Sequence, residues 1–146
     1  MIVHGGLIAL RLGGVWRGAL VRGEAGSGKS DLMLRALGSG FRLVADDRVL
    51  VWRSGGTVYG RAPDTIAALI ELRGMGVVAE PALPLAEIGL IVRCQTSGDI
   101  DRLPDAACED LAGAPIPLLR LCALEASAPA KLGRALNRLG RDRGAA

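Results

Sequence analysis

The sequence is poor in aromatic residues, which make up only 3% of its 146 residues. Proteins that bind single-stranded nucleic acid stack the bases on aromatic side chains, so this scarcity argues against such a partner. The formal net charge of +3 does not by itself indicate a nucleic-acid partner, because acidic residues are interleaved with the basic ones. The one basic cluster, Arg134, Arg138, Arg141 and Arg143, is typical of a solvated helix end. We therefore expect no nucleic-acid partner.

Cysteine and lysine are also scarce. The three cysteines, Cys94, Cys108 and Cys122, are far apart and include no Cys-x-x-Cys pair, which argues against a disulfide framework and a zinc site. We expect all three to be buried or half-buried apolar residues. Of 18 basic residues only Lys29 and Lys131 are lysine, so this arginine-rich chain retains lysine at a position where a compact ammonium group could matter.

Long hydrophobic runs are missing as well. No uninterrupted apolar run reaches the roughly 18 residues that indicate a membrane span, and the first residues lack the pattern of a signal peptide. The sequence therefore predicts no membrane partner and a cytoplasmic location. Half of the residues are hydrophobic, which is enough to bury a core, and we expect residues 1–146 to form a single domain.

The hydrophobic pattern predicts an α/β domain. Short apolar runs separated by glycine pairs indicate strands and hairpins, and apolar residues three and four apart indicate helices. The predicted strands cover residues 7–12, 15–21, 41–45, 49–52, 57–59, 87–94 and 118–122. The predicted helices cover residues 28–37, 65–72 and 128–139, the last with Ser127 as N-cap and Gly140 as its end. Residues 96–117 give no clear pattern.

One glycine-rich segment has a specific chemical meaning. It consists of Gly23, Glu24, Ala25, Gly26, Ser27, Gly28, Lys29 and Ser30, and it fits the pattern G-x-x-x-x-G-K-S of a P-loop. Its glycines allow backbone N–H groups to point at phosphate oxygens, and the following helix contributes its positive end. Lys29 would contact the β- and γ-phosphates, and the Ser30 hydroxyl would bind Mg²⁺. The segment predicts ATP and Mg²⁺ as cofactors.

Two acids follow a predicted strand. Asp46 and Asp47 end residues 41–45, and in a parallel arrangement this strand end would lie beside the phosphates. Neighbouring residues of a strand point to opposite faces, so we expect different roles, one as a base and the other in metal binding or support. The alternative is a turn in which aspartate makes only local hydrogen bonds. Glu71 and Arg61 taken alone are typical surface residues, and His4, the only histidine, is typical of a structural residue.

Together these segments resemble the catalytic domain of the HPr kinase/phosphorylase family. The likeness rests on residues 23–30, 43–47, 60–63 and 71–76, and it extends over residues 3 to about 95. The pattern Glu-x-Arg-Gly-x-Gly at 71–76 is that family's signature. Residues 124–132 are similar to the C-terminal part of short proteobacterial members. The hydrophobic pattern of residues 118–122 and 128–139 places a C-terminal strand and helix at about 115–140. The resemblance implies a P-loop kinase domain related to the nucleotide-binding fold of phosphoenolpyruvate carboxykinase.

The resemblance also implies an activity and residue roles. The family contains serine kinases that act on HPr, the phosphocarrier of the sugar phosphotransferase system, and that also catalyse the reverse phosphorolysis. The catalytic base would be Asp46, assisted by Lys29 and by His4. Ser30, Glu71 and Asp47 would surround Mg²⁺. Arg120 is a candidate for the arginine of the reverse reaction, and the long family members imply a homo-oligomer, a hexamer.

Two other interpretations remain open on the sequence alone. Another P-loop enzyme, either a small-molecule kinase or a simple ATPase, would carry the same glycine segment. A non-catalytic nucleotide sensor would also bind ATP, although a pure binder has less need of Asp46, Asp47 and Glu71 together.

Overall fold

The computed structural model describes residues 1–140, which form a mixed α/β fold dominated by strands. The strands are β1 (Ile2–His4), β2 (Gly6–Leu12), β3 (Val15–Arg22), β4 (Arg42–Ala45), β5 (Arg48–Ser54), β6 (Thr57–Arg61), β7 (Leu69–Leu72), β8 (Gly76–Ala79), β9 (Ala86–Cys94), β10 (Ala107–Leu111) and β11 (Ala114–Leu121). The helices are α1 (Lys29–Leu37) and α2 (Ala128–Leu139). Short 3₁₀ helices lie at Asp64–Ile66 and Ser97–Asp99. Neither α-helix in this part of the chain has the length and hydropathy that a membrane-crossing segment needs.

Strand β9 lies at the centre of the main sheet. It pairs in parallel with β3 on one side and, towards its C-terminal end, with β11 on the other. Outward from β3 follow β2 and then β4, both in antiparallel pairing, while β6, β5 and β1 extend the other side from the start of β9. β10 pairs with β11, and β7 and β8 form a separate hairpin. The three parallel strands β3, β9 and β11 therefore end at the same edge.

Tight turns and apolar alternation produce the two predicted hairpins. β2 and β3 pair from Gly6–Val21 to Leu12–Val15, and the turn between them uses Gly13 and Gly14, both with positive φ. Two consecutive residues with positive φ match the right-handed twist of the flanking strands. β5 and β6 pair from Leu50–Arg61 to Ser54–Thr57, and in the turn between them Gly55 has a φ of 61°. Both hairpin predictions are confirmed.

The two faces of the sheet carry separate hydrophobic cores. The first packs the sheet against the helices, with Leu32 and Met33 of α1 and Leu132 and Leu136 of α2 fully or almost fully buried. Each such side chain contributes about 1.5–3 kcal/mol of burial free energy. The second core lies on the opposite face and joins residues of β2 and β3 to residues of β5, β6, β10 and β11. The predicted apolar stripes of both helices are therefore confirmed.

The predicted helix over residues 65–72 is wrong. Only a single 3₁₀ turn, Asp64–Ile66, forms there, and Leu69–Leu72 is a strand paired with Gly76–Ala79. Ala68 has a φ of 59°, which ends helical geometry, and Ile70 is buried while its neighbour Glu71 is exposed. That alternation is the period of a strand, so Glu71 lies in a strand and not at the end of a helix.

Three smaller expectations need correction or completion, and a fourth lies partly outside the described residues. Cys94 and Cys122 are buried as expected, but Cys108 is exposed, because β10 pairs on one side only and turns alternate residues to solvent. Residues 96–117 contain β10 and the start of β11. Ser127 occupies the N-cap of α2 but its side chain makes no capping hydrogen bond. Arg141 and Arg143 of the predicted basic cluster lie outside the described residues.

Candidate functional site

A cleft opens at the edge where the parallel strands end. It has a volume of about 1090 Å³. β3 leads directly into residues 23–30, here called the glycine loop, and the loop residues 23–27 line the cleft. The segments that follow β9 and β11 form the rest of the wall, and His4 of β1 also faces it. Ligands of α/β sheets commonly bind outside the carboxyl ends of parallel strands, which makes this cleft the candidate site.

The glycine loop has the backbone geometry of an anion cradle. Gly26 and Gly28 have φ of 82° and 91°, a region that residues with a side chain rarely adopt. A Cβ atom on Gly28 would also lie 3.0 Å from a Leu124 methyl carbon. Gly28 is the N-cap of α1 and no side chain caps that helix. The first N–H groups of α1 therefore lack intrahelical partners and can bind an anion.

Two side chains of the loop fit a phosphate ligand. Lys29 Nζ donates to the carbonyl oxygen of Gly23 at 2.6 Å and to that of Glu24 at 3.2 Å, so the ammonium group lies on the loop itself. Ser27 Oγ is buried without a hydrogen-bond partner. Since a buried polar atom is normally paired, this hydroxyl is suited to a bound acceptor oxygen. Ser30, the next residue of α1, is exposed.

Asp46 and Glu71 lie together beside this edge. Asp46 follows the last residue of β4, and its carboxylate accepts a hydrogen bond from the Glu71 backbone N–H at 3.0 Å. Burial raises the pKa of Asp46 above its ordinary value of 3.8; the hydrogen bond from Glu71 opposes this change, and the negative charges of Asp47 and Glu71 add to it. An aspartate with a raised pKa holds a proton more readily than an ordinary one. This property suits a general base.

Asp47 has a different environment from Asp46. Its side chain is exposed and lies 3.6 Å from Arg48, and its φ is 68°. Its carbonyl oxygen accepts a hydrogen bond from Gly5 at 3.0 Å, and a Cβ on Gly5 would lie 2.6 Å from the carbonyl oxygen of Val21. The turn that carries the two acids is thereby packed against the end of β3. The antiparallel β2 lies between β3 and β4. The two antiparallel pairings give β4 the same direction as β3, so the end of β4 lies at the same edge of the sheet, as the sequence predicts.

The residues expected to hold metal are only partly brought together. In residues 1–140 no three His, Cys, Asp or Glu side chains cluster closely enough to hold a metal ion by themselves. Magnesium is usually held by one or two carboxylates together with substrate phosphates and water. The Ser30 hydroxyl and the carboxylates of Asp47 and Glu71 have the oxygen chemistry that Mg²⁺ prefers, although no hydrogen bond in the described chain joins Ser30 to either acid. Arg61 pairs with Asp64 at 3.0 Å.

Sequence reasoning missed the contact that holds the far wall of the cleft. Arg35 of α1 donates to the carbonyl oxygens of Ala123 and Glu125 and to the Asp31 carboxylate. This contact fixes residues 122–125 against the glycine loop, where Leu124 is 74% exposed on the cleft side. The residues involved are about ninety positions apart, so no local pattern could have indicated the contact.

Sequence reasoning also missed a charged cluster on the same cleft. The Glu109 carboxylate binds Arg22 at 3.1 Å and Arg93 at 2.6 Å, and both arginines line the cleft. The hydrogen bond from Arg93 lowers the pKa of Glu109 below its ordinary value of 4.5. The one local signal was the position of Arg22, immediately before the glycine loop.

Comparison with known proteins places these features in a family. Residues 1–83, which include the glycine loop, both aspartates and Glu71, match the family model described as "HPr Serine kinase C-terminal domain". The chain belongs to this family. The match contains every segment on which the sequence resemblance rests, apart from the C-terminal one.

Individual relatives agree with this assignment. The HPr kinase/phosphorylase of Limosilactobacillus reuteri (strain DSM 20016) is 36% identical over 131 residues, which are 82% of this chain and 39% of the relative. The HPr kinase/phosphorylase of Mycoplasmopsis pulmonis (strain UAB CTIP) is 34% identical over 112 residues, 69% of this chain and 35% of the relative. The chain thus spans less than two fifths of the length of these curated relatives.

A solved structure has the same fold. The "Hpr(Ser) kinase/phosphatase from Coxiella burnetii" superposes with a TM-score of 0.81 and covers 94% of this chain and 89% of the other. At 20% identity this match concerns the fold, which is the mixed α/β arrangement described above.

Proposed function

We propose that this chain is the catalytic domain of an ATP-dependent protein serine kinase that phosphorylates an HPr-type phosphocarrier. The observation that carries the proposal is the position of Asp46: a half-buried carboxylate with a raised pKa at the same sheet edge as the glycine loop. Membership of the HPr serine kinase family supports the choice of substrate. The strand–loop–helix geometry supports a P-loop fold. The family resemblance is the support for a relationship to the nucleotide-binding fold of phosphoenolpyruvate carboxykinase.

The proposed reaction is transfer of the γ-phosphoryl group of ATP to a serine hydroxyl. The amides of residues 23–30 and the N-terminus of α1 hold the phosphates, and Lys29 neutralises charge that develops on them. Asp46 accepts the proton of the serine hydroxyl. The serine oxygen forms a bond to the γ-phosphorus, and the bond between that phosphorus and the leaving oxygen of ADP breaks. Bound Mg²⁺ would add positive charge at the phosphates, with Ser30, Glu71 and Asp47 as its protein ligands or their support. His4, on the cleft wall, would assist at the acceptor side.

We propose that residues 1–146 form one domain. The first hydrophobic core joins residues from Ile8 to Leu136, so the strands and α2 share one core, which supports a single domain over residues 1–146. We also propose that the protein catalyses the reverse phosphorolysis and that it assembles as a hexamer.

The test is transfer of label from γ-labelled ATP to purified HPr in the presence of Mg²⁺. We expect label on an HPr serine with the wild type and none with Asp46→Ala. A matched control is Asp110→Asn, which removes an exposed carboxylate from β10. Transfer to a small metabolite but not to HPr would replace the proposal with a metabolite kinase. ATP binding without any transfer or hydrolysis would replace it with a nucleotide sensor.

A further inference from the structure

Leu124 is an exposed apolar residue beside the glycine loop. It lies between the end of β11 and the start of α2, where it lines the cleft with 74% of its surface exposed. It also contacts the loop, because a Cβ atom on Gly28 would lie 3.0 Å from one of its methyl carbons. Among the described residues that line the cleft, Leu124 is the only large apolar one, and none is aromatic. An apolar ligand surface that covered Leu124 would remove it from water, which is favourable.

The backbone that carries Leu124 is held on both sides. Arg35 of α1 donates hydrogen bonds to the carbonyl oxygens of Ala123 and Glu125, the two neighbours of Leu124 in the chain. Helix α1 also begins at the glycine loop, with Gly28 as its N-cap. One helix therefore fixes both the end of the loop and the residue beside it. A side chain on a fixed backbone can contact a ligand without the entropy loss of ordering a mobile segment.

The order of the strands determines the direction in which a nucleotide would lie. The glycine loop follows β3. Asp46 follows β4, two strands away on one side, and Leu124 lies in the segment after β11, two strands away on the other. At about 4.8 Å per strand, β4 and β11 are each roughly 10 Å from β3. In the proposed reaction the γ-phosphate has to face Asp46, which accepts the serine proton. The nucleoside then extends to the opposite side, across the end of β9 towards Leu124.

We propose that Leu124 positions the nucleoside of ATP by packing against the face of its purine base. The inference rests on the proposed function, which determines the direction of the phosphates. An aromatic base presents a large apolar face, and this face matches the one large apolar side chain of the cleft in the described part of the chain. Leu124 thereby holds the nucleoside end of ATP while the glycine loop holds the phosphates.

The test compares ATP with inorganic triphosphate, which has a chain of three phosphates but no nucleoside. Calorimetry measures the binding of each probe in the presence of Mg²⁺. Leu124→Ala should lower the affinity for ATP about five- to tenfold, because part of the apolar contact with the base is lost. The affinity of this variant for triphosphate should equal that of the wild type. Leu124→Met keeps an apolar side chain of similar volume and should bind ATP as the wild type does.

The matched control is Leu85→Ala. Leu85 is also an exposed leucine, and it immediately precedes β9, at the end of that strand away from the cleft. This variant should bind both probes with wild-type affinity. A loss of ATP affinity as large as that of Leu124→Ala would show that the effect does not depend on the cleft, and the proposal would be overturned.

The two probes separate contact with the base from support of the loop. Equal losses of ATP and triphosphate affinity in Leu124→Ala would mean that Leu124 acts only through its contact with Gly28, which overturns the proposal. Unchanged ATP affinity in Leu124→Ala, or a loss in Leu124→Met as large as in Leu124→Ala, also overturns it. These results leave the kinase proposal intact, because label transfer to HPr is a separate assay. A wild-type protein that does not bind ATP would contradict both proposals.

Discussion

Replacing Asp46 with asparagine should increase stability and abolish most of the activity. The carboxylate is half-buried, and its oxygen accepts a hydrogen bond from the Glu71 N–H at 3.0 Å. An asparagine carbonyl oxygen can accept the same hydrogen bond, while the negative charge, which burial and the two neighbouring acids disfavour, is removed. The substitution thus keeps the local structure and removes only the group that could take up a proton.

The expected magnitudes follow from these contacts. Loss of a general base lowers kcat by about 10²–10⁴-fold. The gain in the free energy of unfolding should be at most about 1 kcal/mol, because solvent screens a half-exposed carboxylate and active-site substitutions give gains of this size. For a chain of this length the corresponding rise in Tm is roughly 2–4 °C.

The free energy of unfolding of the wild type should depend on pH in a direction that follows from the raised pKa of Asp46. Folding raises the pKa of Asp46 above 3.8, so between that value and the raised pKa the folded protein binds more protons than the unfolded chain. By linkage, the free energy of unfolding of the wild type falls as the pH rises through this window. The advantage of Asp46→Asn should therefore be full at pH 7 and disappear as the pH falls to about 3.8.

The assay is thermal melting at several pH values, alongside label transfer to HPr. Asp110→Asn is the control for removing an exposed carboxylate and should change neither quantity. Asp46→Ala should be less stable than Asp46→Asn, because the Glu71 N–H loses its protein acceptor. A lower Tm for Asp46→Asn than for the wild type at pH 7, or activity within a few-fold of wild type, would refute the reasoning.

Three further predictions concern the glycine loop, the charged cluster and the first core. Lys29→Ala should lower the affinity for Mg-ATP at least about tenfold, because a charge-assisted contact is lost; calorimetry checks this, and unchanged affinity would contradict the assignment of the loop. Glu109→Gln should lower the free energy of unfolding by about 1 kcal/mol at pH 7. The difference in free energy of unfolding between this variant and the wild type should vanish as the pH falls through the lowered pKa of Glu109, because the wild type then loses the charge of Glu109. Urea unfolding at several pH values measures this change. Leu132→Ala should cost about 2–5 kcal/mol in urea unfolding, whereas Leu34→Ala, at an exposed position of α1, should cost far less.

Elements whose signals are local could be predicted from the sequence. The Gly13–Gly14 turn has the two positive φ angles that a tight hairpin requires. Helix α2 follows from the spacing of Leu132, Ala135, Leu136 and Leu139 and from the glycine that ends it. In each case the residues that determine the element lie within one turn or one hairpin of each other, so the pattern is complete in a short stretch of chain.

The failures are elements that depend on distant partners. Residues 69–72 contain an apolar run too short to distinguish helix from strand, and pairing with Gly76–Ala79 decides the outcome. β10 alternates between exposed and partly buried residues, and it becomes a strand because β11 pairs with it while β11 also pairs with β9. Neither pairing leaves a mark in the local sequence.

The candidate site also contains features that could be located from the sequence and features that could not. The glycine loop and the acids could be located from the sequence because each is a short segment of defined chemistry. The contacts Arg22–Glu109 and Arg35–Glu125 could not, because they join residues 87 and 90 positions apart. The roles assigned to His4, Lys29, Asp46, Asp47 and Glu71 stay predictions that the experiments above address.

The hydrogen bonds of Lys29 bear on the free energy with which the proposed loop would bind a phosphate. Its ammonium group is held by the carbonyl oxygens of Gly23 and Glu24, so it lies on the loop and not in bulk solvent. Binding of a phosphate then requires exchange of these hydrogen bonds for new ones, and little of the side-chain entropy of a free lysine remains to be lost. The exchange is between polar partners of similar strength, so the net gain has to come from the charge of the phosphate and from the unpaired N–H groups at the start of α1.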